Sequence, residues 1–170
     1  ILPMNARNEY NLIPYPSQLT EKEGVFTFAK GMVIALPDNK EYAGILIDFA
    51  NELNQVSNLN VKTTDSKKGA ITFTINDKIA EEAYKLSVNK KKIHIEASTP
   101  AGLFYAIGTL RQLLPVEIFG KKETDIKWTV PCVEIEDAPR FPYRGAHLDV
   151  CRHFMPKEFV LKYIDLLATY

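Results

Sequence analysis

Three short segments in the middle of the chain alternate apolar and polar residues, and this alternation constrains the fold more than any other feature. The segments are AITFTIN (70–76), YKLSVN (84–89) and KIHIEA (92–97). Because side chains of a β-strand point alternately to opposite faces, each segment predicts a strand with one apolar and one polar face. The sequence therefore predicts a sheet that is covered on one side and exposed to water on the other, with His94 on the exposed side.

Two helices are predicted to cover the apolar side of this sheet. Asp38 is a suitable N-cap for the first helix, with Glu41 three residues later as its capping-box partner. Thr99 and Pro100 are typical of the start of a second helix, which Pro115 ends. Apolar residues recur at helical spacing in both segments: Tyr42, Ile45, Leu46, Phe49, Leu53 and Val56 in the first, and Leu103, Phe104, Ile107, Leu110 and Leu114 in the second.

Further apolar segments complete the predicted sheet. GVFTF (24–28) and GMVIAL (31–36) lie so close together that they predict a hairpin. IKWTVPCVEIED (126–137) predicts a long strand with a bulge or an edge position at Pro131. The predicted fold class is therefore α+β: a mostly antiparallel sheet with two helices packed on one face, which forms a first domain over residues 1–138.

The last part of the chain does not fit that pattern. A proline-containing linker, APRFPYR (138–144), leads into YRGAHLDVCRHF (143–154), which we call the polar segment. The polar segment carries two arginines, two histidines, an aspartate and a cysteine on a pattern typical of a strand. Pro156 then begins a predicted helix with one apolar side. We therefore predict a second part, residues 139–170, made of a single strand–helix unit.

Composition and cysteine usage argue against several classes of protein. Twenty-one basic residues balance twenty-one acidic ones, so neither nucleic acid nor an anionic membrane is an expected partner. The apolar runs are shorter than the roughly 20 residues of a membrane-spanning helix. No leader is visible, so we expect any signal peptide to be absent or already removed. Cys132 and Cys151 are expected to be half-buried free thiols, with a disulfide between them as the alternative, and their spacing does not favour a metal site.

Two motifs resemble the family 20 glycoside hydrolases, the β-N-acetylhexosaminidases. TPAGLFYAIGTLRQLLP (99–115) resembles the helix that closes their small N-terminal domain. FPYRGAHLDVCRHFMPKEFVLKYIDLLA (141–168) resembles the first strand and first helix of their catalytic (β/α)8 barrel, and its RG…LD…RHF pattern is the more specific of the two. The resemblance implies that residues 139–170 are the truncated start of such a barrel, which needs about 250 residues in all.

The resemblance also implies a reaction. Enzymes of this family remove terminal non-reducing β-linked N-acetylglucosamine or N-acetylgalactosamine with retention of configuration, and the substrate's own 2-acetamido oxygen is the nucleophile. An adjacent Asp-Glu pair orients the acetamido group and serves as general acid and base. No metal or organic cofactor is implied, and the implied partners are β-linked N-acetylhexosaminide glycans. Because the sequence contains no Asp-Glu dipeptide, we predict no catalytic residue here and expect this chain alone to be inactive.

Arg144 is the substrate-binding residue that the resemblance implies for this chain. The family's arginine at this motif position binds the hydroxyls on carbons 3 and 4 of the terminal sugar, for which the fixed fork of a guanidinium is suited. An ion pair that only holds the strand is the alternative. Asp149, Arg152 and His153 are expected near the barrel rim, where mutual ion pairs and hydrogen bonds shape the pocket floor. His147 is expected to be a hydrogen-bonded core histidine.

Other interpretations stay open at this stage. Residues 1–138 are alternatively a non-catalytic module that supports the barrel or binds carbohydrate or protein, or the accessory domain of an O-GlcNAc hydrolase or an α-glucuronidase. The family resemblance implies export to a periplasm, an outer surface or the cell exterior. In the second part, the apolar residues of the strand and helix are expected to promote poor order, docking on the first domain or self-association: Leu148, Val150, Phe159, Val160, Ile164 and Leu167.

Overall fold

A computed structural model describes residues 10–169 of the chain. Contacts divide the chain into two compact units, Ile1–Ala138 and Pro139–Tyr170, which we call the first and second units. In chain order, the elements are β1 (Gln18–Thr27), β2 (Val33–Ala35), α1 (Lys40–Val56), β3 (Lys62–Thr64), β4 (Ile71–Ile75), β5 (Tyr84–Val88), β6 (Ile93–Ala97), α2 (Pro100–Leu113), a 3-10 helix (Val116–Phe119), β7 (Thr129–Asp137) and α3 (Lys157–Thr169).

The strands of the first unit form one sheet in the order β1-β7-β5-β6-β4-β2-β3. Pairing is antiparallel from β1 through β7 and β5 to β6. From β6 through β4 and β2 to β3 the strands run parallel. The α+β class is thus confirmed, and the sheet that carries it is mixed.

The predicted hairpin between residues 24–28 and 31–36 is wrong. Strand β1 pairs with β7, and its Gln18 lies opposite Glu136. Strand β2 pairs instead with β3 and β4, at the other end of the sheet. An apolar pattern indicates that a segment is a strand, but it does not specify the partner of that strand. The β7 residues that pair with β1 lie more than a hundred positions away along the chain.

The two long helices of the first unit pack against each other and bury the apolar side of the sheet. Leu46, Phe49 and Leu53 of α1 are completely buried. Each such side chain stabilises the fold by about 1.5–3 kcal/mol relative to its exposed state. Phe104 of α2, predicted to face inward, is only half-buried. The strand residues that point toward the helices are all buried: Tyr84, Leu86 and Val88 of β5, and Ile93, Ile95 and Ala97 of β6.

Capping residues explain where the helices begin. Helix α1 is capped by Asn39 rather than by the predicted Asp38, because the Asn39 side chain accepts a hydrogen bond from the Glu41 amide at 2.9 Å. Thr99 is the N-cap of α2, as predicted, and accepts from the Gly102 amide at 3.3 Å. Pro100 is the first residue of that helix. Asn39 and Thr99 each accept a hydrogen bond from a backbone N–H group in the first turn that has no partner within its helix.

The β1–β7 edge is irregular where the sequence predicts it to be. The register shifts between Glu21 and Val25, beside Pro131 on β7. Cys132 follows Pro131 and is a buried free thiol, whereas Cys151 in the second unit is an exposed one. Both thiols are free, as expected, but neither is half-buried.

Candidate functional site

The polar segment, residues 143–154, does not form the predicted strand. It has no regular secondary structure apart from bends at residues 151–153. A strand satisfies its backbone N–H and C=O groups by pairing with neighbours, and the described part of the second unit contains no other strand for this segment to pair with. His147, predicted to be a core histidine, is exposed for the same reason.

Arg144 lies near the start of the polar segment. Its side chain is exposed, and its Nη1 donates a hydrogen bond of 2.7 Å to the carbonyl oxygen of Phe141. This bond closes a short loop at the end of the linker. A guanidinium offers five N–H donors in a planar fork, and one of them makes this contact to the backbone.

Asp149 and Arg152, two of the predicted rim residues, are brought together by a turn. Oδ1 of Asp149 accepts hydrogen bonds from the amides of Cys151 at 2.9 Å and of Arg152 at 3.3 Å. Arg152 Nε also lies 3.7 Å from Asp149 Oδ2, with 89% of the arginine side chain exposed. His153 is exposed, and its side chain makes no hydrogen bond or ion pair within residues 10–169. The mutual contacts predicted for these three residues thus involve two of them.

The sequence predicts mutual ion pairs and hydrogen bonds among Asp149, Arg152 and His153, but not the contacts of Asp149 with the backbone. The Asp149 carboxylate accepts hydrogen bonds from the main-chain amides of Cys151 and Arg152. The signal that could have revealed this is the residue type itself, because aspartate commonly binds the backbone N–H two residues later.

Helix α3 follows the polar segment, and several of its apolar side chains are exposed. The Pro156 carbonyl accepts hydrogen bonds from the amides of Phe159 and Val160, so the helix begins directly after the proline. The rings of Phe159 and Tyr163 stack with centroids 6.4 Å apart. No described residue of this helix is buried. The predicted exposure of its apolar side is confirmed for Phe159, Ile164 and Leu167.

The open side of the sheet offers a second group of polar residues, around a shallow depression of about 150 Å³. One of its members is Lys85, and the hydrogen bond to Glu136 raises the pKa of the Lys85 ammonium group. Because the polar side chains around the depression bind one another across neighbouring strands, they are typical of a solvated sheet face. Its cross-strand contacts join Lys85 to Glu136 at 2.7 Å, Ser87 to Glu134 at 2.8 Å, and His94 to Thr72 at 2.8 Å.

The first unit contains two pairs of neighbouring acidic residues, Glu81-Glu82 and Glu136-Asp137, and members of both pairs have structural partners. Glu82 accepts a hydrogen bond from the Tyr105 hydroxyl at 3.0 Å. Asp137 accepts from both the amide and the hydroxyl of Ser17 at 2.9 Å. Among residues 10–169, no group of three or more His, Cys, Asp or Glu side chains is arranged to hold a metal ion. Within the same range, no helix is long and apolar enough to cross a membrane.

Comparison with known proteins identifies the family. The family model described as "Glycosyl hydrolase family 20, domain 2" matches residues 9–138, and the one described as "Glycosyl hydrolase family 20, catalytic domain" matches residues 141–170. The chain belongs to glycosyl hydrolase family 20. This membership confirms the resemblance of the two motifs and argues against an O-GlcNAc hydrolase or an α-glucuronidase as the parent of residues 1–138.

Two curated proteins and one solved structure illustrate the similarity. The chain is 36% identical over 165 residues to a beta-hexosaminidase of Porphyromonas gingivalis, covering 94% of this chain and 21% of that protein. It is 33% identical over 171 residues to a beta-hexosaminidase of Vibrio furnissii, covering 99% of this chain and 26% of that protein. The structure of the Streptomyces plicatus N-acetyl-beta-hexosaminidase matches with a TM-score of 0.90 at 30% identity, covering 99% of this chain and 34% of that one.

These family 20 proteins are much longer than the chain described here, which spans between 21% and 34% of their length. A mutant of the Streptomyces plicatus enzyme has also been solved in complex with its product, GlcNAc. The matched length of the catalytic domain in this chain is only residues 141–170. The polar segment and α3 are therefore the part of this chain that corresponds to the catalytic domain of its relatives.

Proposed function

We propose that this chain is the N-terminal part of an exo-acting β-N-acetylhexosaminidase, which hydrolyses terminal non-reducing N-acetylglucosamine or N-acetylgalactosamine from β-linked glycans. The observation that carries the proposal is the match of residues 141–170 to the family's catalytic domain, directly after a match of residues 9–138 to its accessory domain. The two curated relatives are both beta-hexosaminidases, which supports this activity. The GlcNAc product in the Streptomyces plicatus structure supports the same substrate class.

The proposed mechanism is retaining and assisted by the substrate. The 2-acetamido oxygen of the sugar attacks the anomeric carbon as the glycosidic bond breaks, and a glutamate acting as acid protonates the departing aglycone oxygen. An aspartate stabilises the ring that forms, and the same glutamate then acts as base on the water that opens this ring and releases the sugar. The sequence of this chain contains no adjacent Asp-Glu pair. We therefore propose that the chain alone has no hydrolase activity and that residues outside it supply both carboxylates.

Arg144 is the proposed sugar-binding residue. Two neighbouring hydroxyls of a pyranose ring present two oxygens at a spacing that a planar guanidinium fork can bind together, which a lysine cannot reproduce. The exposure of Arg144 and its position in the matched catalytic segment support this role. Asp149, Arg152 and His153 are proposed to shape the adjacent part of the pocket, with no direct bond to the sugar.

The first unit is proposed to support the barrel. Its buried core is made of its own residues, because every member of the buried apolar cluster lies within residues 10–135. The exposed apolar side of α3 is, by contrast, proposed to mediate self-association of the 170-residue chain in solution.

Export to a periplasm, an outer surface or the cell exterior is proposed because polymeric glycans are found there, and fractionation of the native cells tests it.

Expression of the complete reading frame that contains residues 1–170 tests the proposed activity. The complete protein is expected to release the chromophore from an aryl N-acetyl-β-glucosaminide, without any added metal or cofactor. A complete protein that instead hydrolysed an aryl β-glucuronide would show that the proposed substrate class is wrong.

A further inference from the structure

We propose that Asp149 is a positioning residue of the complete hydrolase, and that it acts through the two backbone amides it binds. The inference rests on the proposed function, because it assigns a role within the proposed sugar-binding region. It goes beyond that function by separating two properties of one side chain: its ability to accept hydrogen bonds and its negative charge.

The turn at Asp149 is a local restraint on an otherwise irregular stretch of backbone. Residues 145–150 lack regular secondary structure, and residues 151–153 form bends that lead to Pro156 and α3. Oδ1 of Asp149 binds the Cys151 amide at 2.9 Å and the Arg152 amide at 3.3 Å. Hydrogen bonds from backbone N–H groups to a side-chain oxygen two or three residues earlier set the direction of the chain, and a neutral oxygen can accept them as well.

The ion pair between Asp149 and Arg152 contributes much less. Its closest atoms, Arg152 Nε and Asp149 Oδ2, are 3.7 Å apart, and 89% of the Arg152 side chain is exposed. Water and salt screen an exposed pair of this kind, so its contribution to the local structure is small. The hydrogen bonds that Asp149 accepts therefore contribute more to the local structure than its negative charge does.

The place of the turn in the chain gives it a functional consequence. Residues 141–170 match the start of the family's catalytic domain, and in (β/α)8 barrels the residues that follow each strand lie at the catalytic face. Asp149 lies within the polar segment, five residues after Arg144, and its turn precedes α3. The turn thus determines the course of the chain where the proposed sugar pocket is built, and small displacements there are costly to catalysis.

The test compares variants of the complete protein with an aryl N-acetyl-β-glucosaminide as the substrate. Asp149→Ala removes the acceptor and is expected to lower kcat/KM by about tenfold to a hundredfold. Asp149→Asn keeps an acceptor oxygen while removing the charge, and it is expected to restore most of the wild-type kcat/KM. Asp165→Ala is the matched control, since it removes an exposed carboxylate from α3 and is expected to change nothing.

The outcomes separate this inference from the proposed function. A wild-type protein with no activity on the substrate would overturn the proposed function and this inference together. An active wild type with an equally active Asp149→Ala variant, or an Asp149→Asn variant as impaired as Asp149→Ala, would overturn this inference alone. A lower Tm with unchanged kcat/KM in Asp149→Ala would also overturn it. If Asp149→Ala does not fold, Asp149→Ser replaces it, because serine forms a weaker turn of the same kind and is expected to give an intermediate kcat/KM.

Discussion

The hydroxyl groups of Tyr84 and Thr109 share a hydrogen bond of 2.6 Å, which joins strand β5 to helix α2 across the core of the first unit. Tyr84 is only 3% exposed. Burial raises the pKa of the Tyr84 hydroxyl above its ordinary value; the hydrogen bond to Thr109 opposes this shift in part, and the nearby carboxylate of Asp137 adds to it.

This raised pKa predicts a loss of stability in alkaline solution. The unfolded tyrosine ionises near its ordinary pKa of about 10, whereas the folded one stays neutral to a higher pH. The stability that Tyr84 contributes is therefore complete below about pH 10 and is lost as the pH rises toward the folded pKa. The free energy of unfolding should fall by up to about 1.4 kcal/mol per pH unit from this group.

Denaturation of wild type and Tyr84→Phe by urea at several pH values checks this effect. At neutral pH the variant should be less stable by about 1 kcal/mol, because it loses one hydrogen bond. Above pH 10 the difference should shrink and then reverse. A difference that stays constant from neutral to alkaline pH would contradict the assignment of the raised pKa to Tyr84.

Two glycines of helix α2 should respond in opposite ways to alanine. A Cβ added at Gly102 would lie 2.4 Å from the Ala83 carbonyl oxygen, whereas one added at Gly108 meets nothing within 4 Å. Gly102→Ala should therefore destabilise the first unit by about 1–3 kcal/mol. Gly108→Ala should stabilise it by about 0.5–1 kcal/mol through helix propensity. Urea denaturation of the two variants measures both values, and equal effects would contradict the close packing at Gly102.

Self-association of the 170-residue chain is expected to depend on α3. Ile164 and Leu167 are 53% and 49% exposed, and they lie on the apolar side of the helix. Replacing both by lysine should shift the sedimentation coefficient toward that of a monomer, because the apolar surface is removed. Lys162→Glu, a change at an exposed position of the same helix, should leave the coefficient unchanged. A wild-type chain that sediments as a monomer at all concentrations would disprove self-association.

Arg144→Ala in the complete protein should weaken transition-state binding of the sugar. We expect kcat/KM to fall by about a hundredfold or more, which corresponds to roughly 3 kcal/mol. Arg144→Lys should recover little of this loss, because one ammonium group cannot replace the guanidinium fork. Arg140→Ala, at an exposed position four residues earlier, is the control. An effect of Arg144→Ala on Tm alone would favour a structural role for the arginine.

Local signals in the sequence predicted the local structure well. Thr99 and Pro100 marked the start of α2, and the alternation of residues 84–88 and 93–97 predicted both strands and the faces they bury. The N-cap of α1 was missed by one residue, because Asp38 and Asn39 are both good caps and the sequence does not distinguish them.

Long-range structure was harder to predict. The partner of β1 is β7, whose paired residues lie more than a hundred positions away, and no local pattern specifies such a partner. The polar segment has a pattern typical of a strand, yet residues 143–154 are irregular, because the described part of the second unit offers them no strand to pair with. The role of Arg144 was suggested by a family motif rather than by its spacing, since an isolated arginine has several common functions.

The measurement that tests the account most directly is the rate of chromophore release from an aryl N-acetyl-β-glucosaminide, by the 170-residue chain and by the complete protein in parallel. The account predicts hydrolysis by the complete protein and none by the 170-residue chain, because the sequence of the shorter chain has no adjacent Asp-Glu pair. Turnover by the 170-residue chain, or a complete protein that does not hydrolyse the substrate, would contradict it.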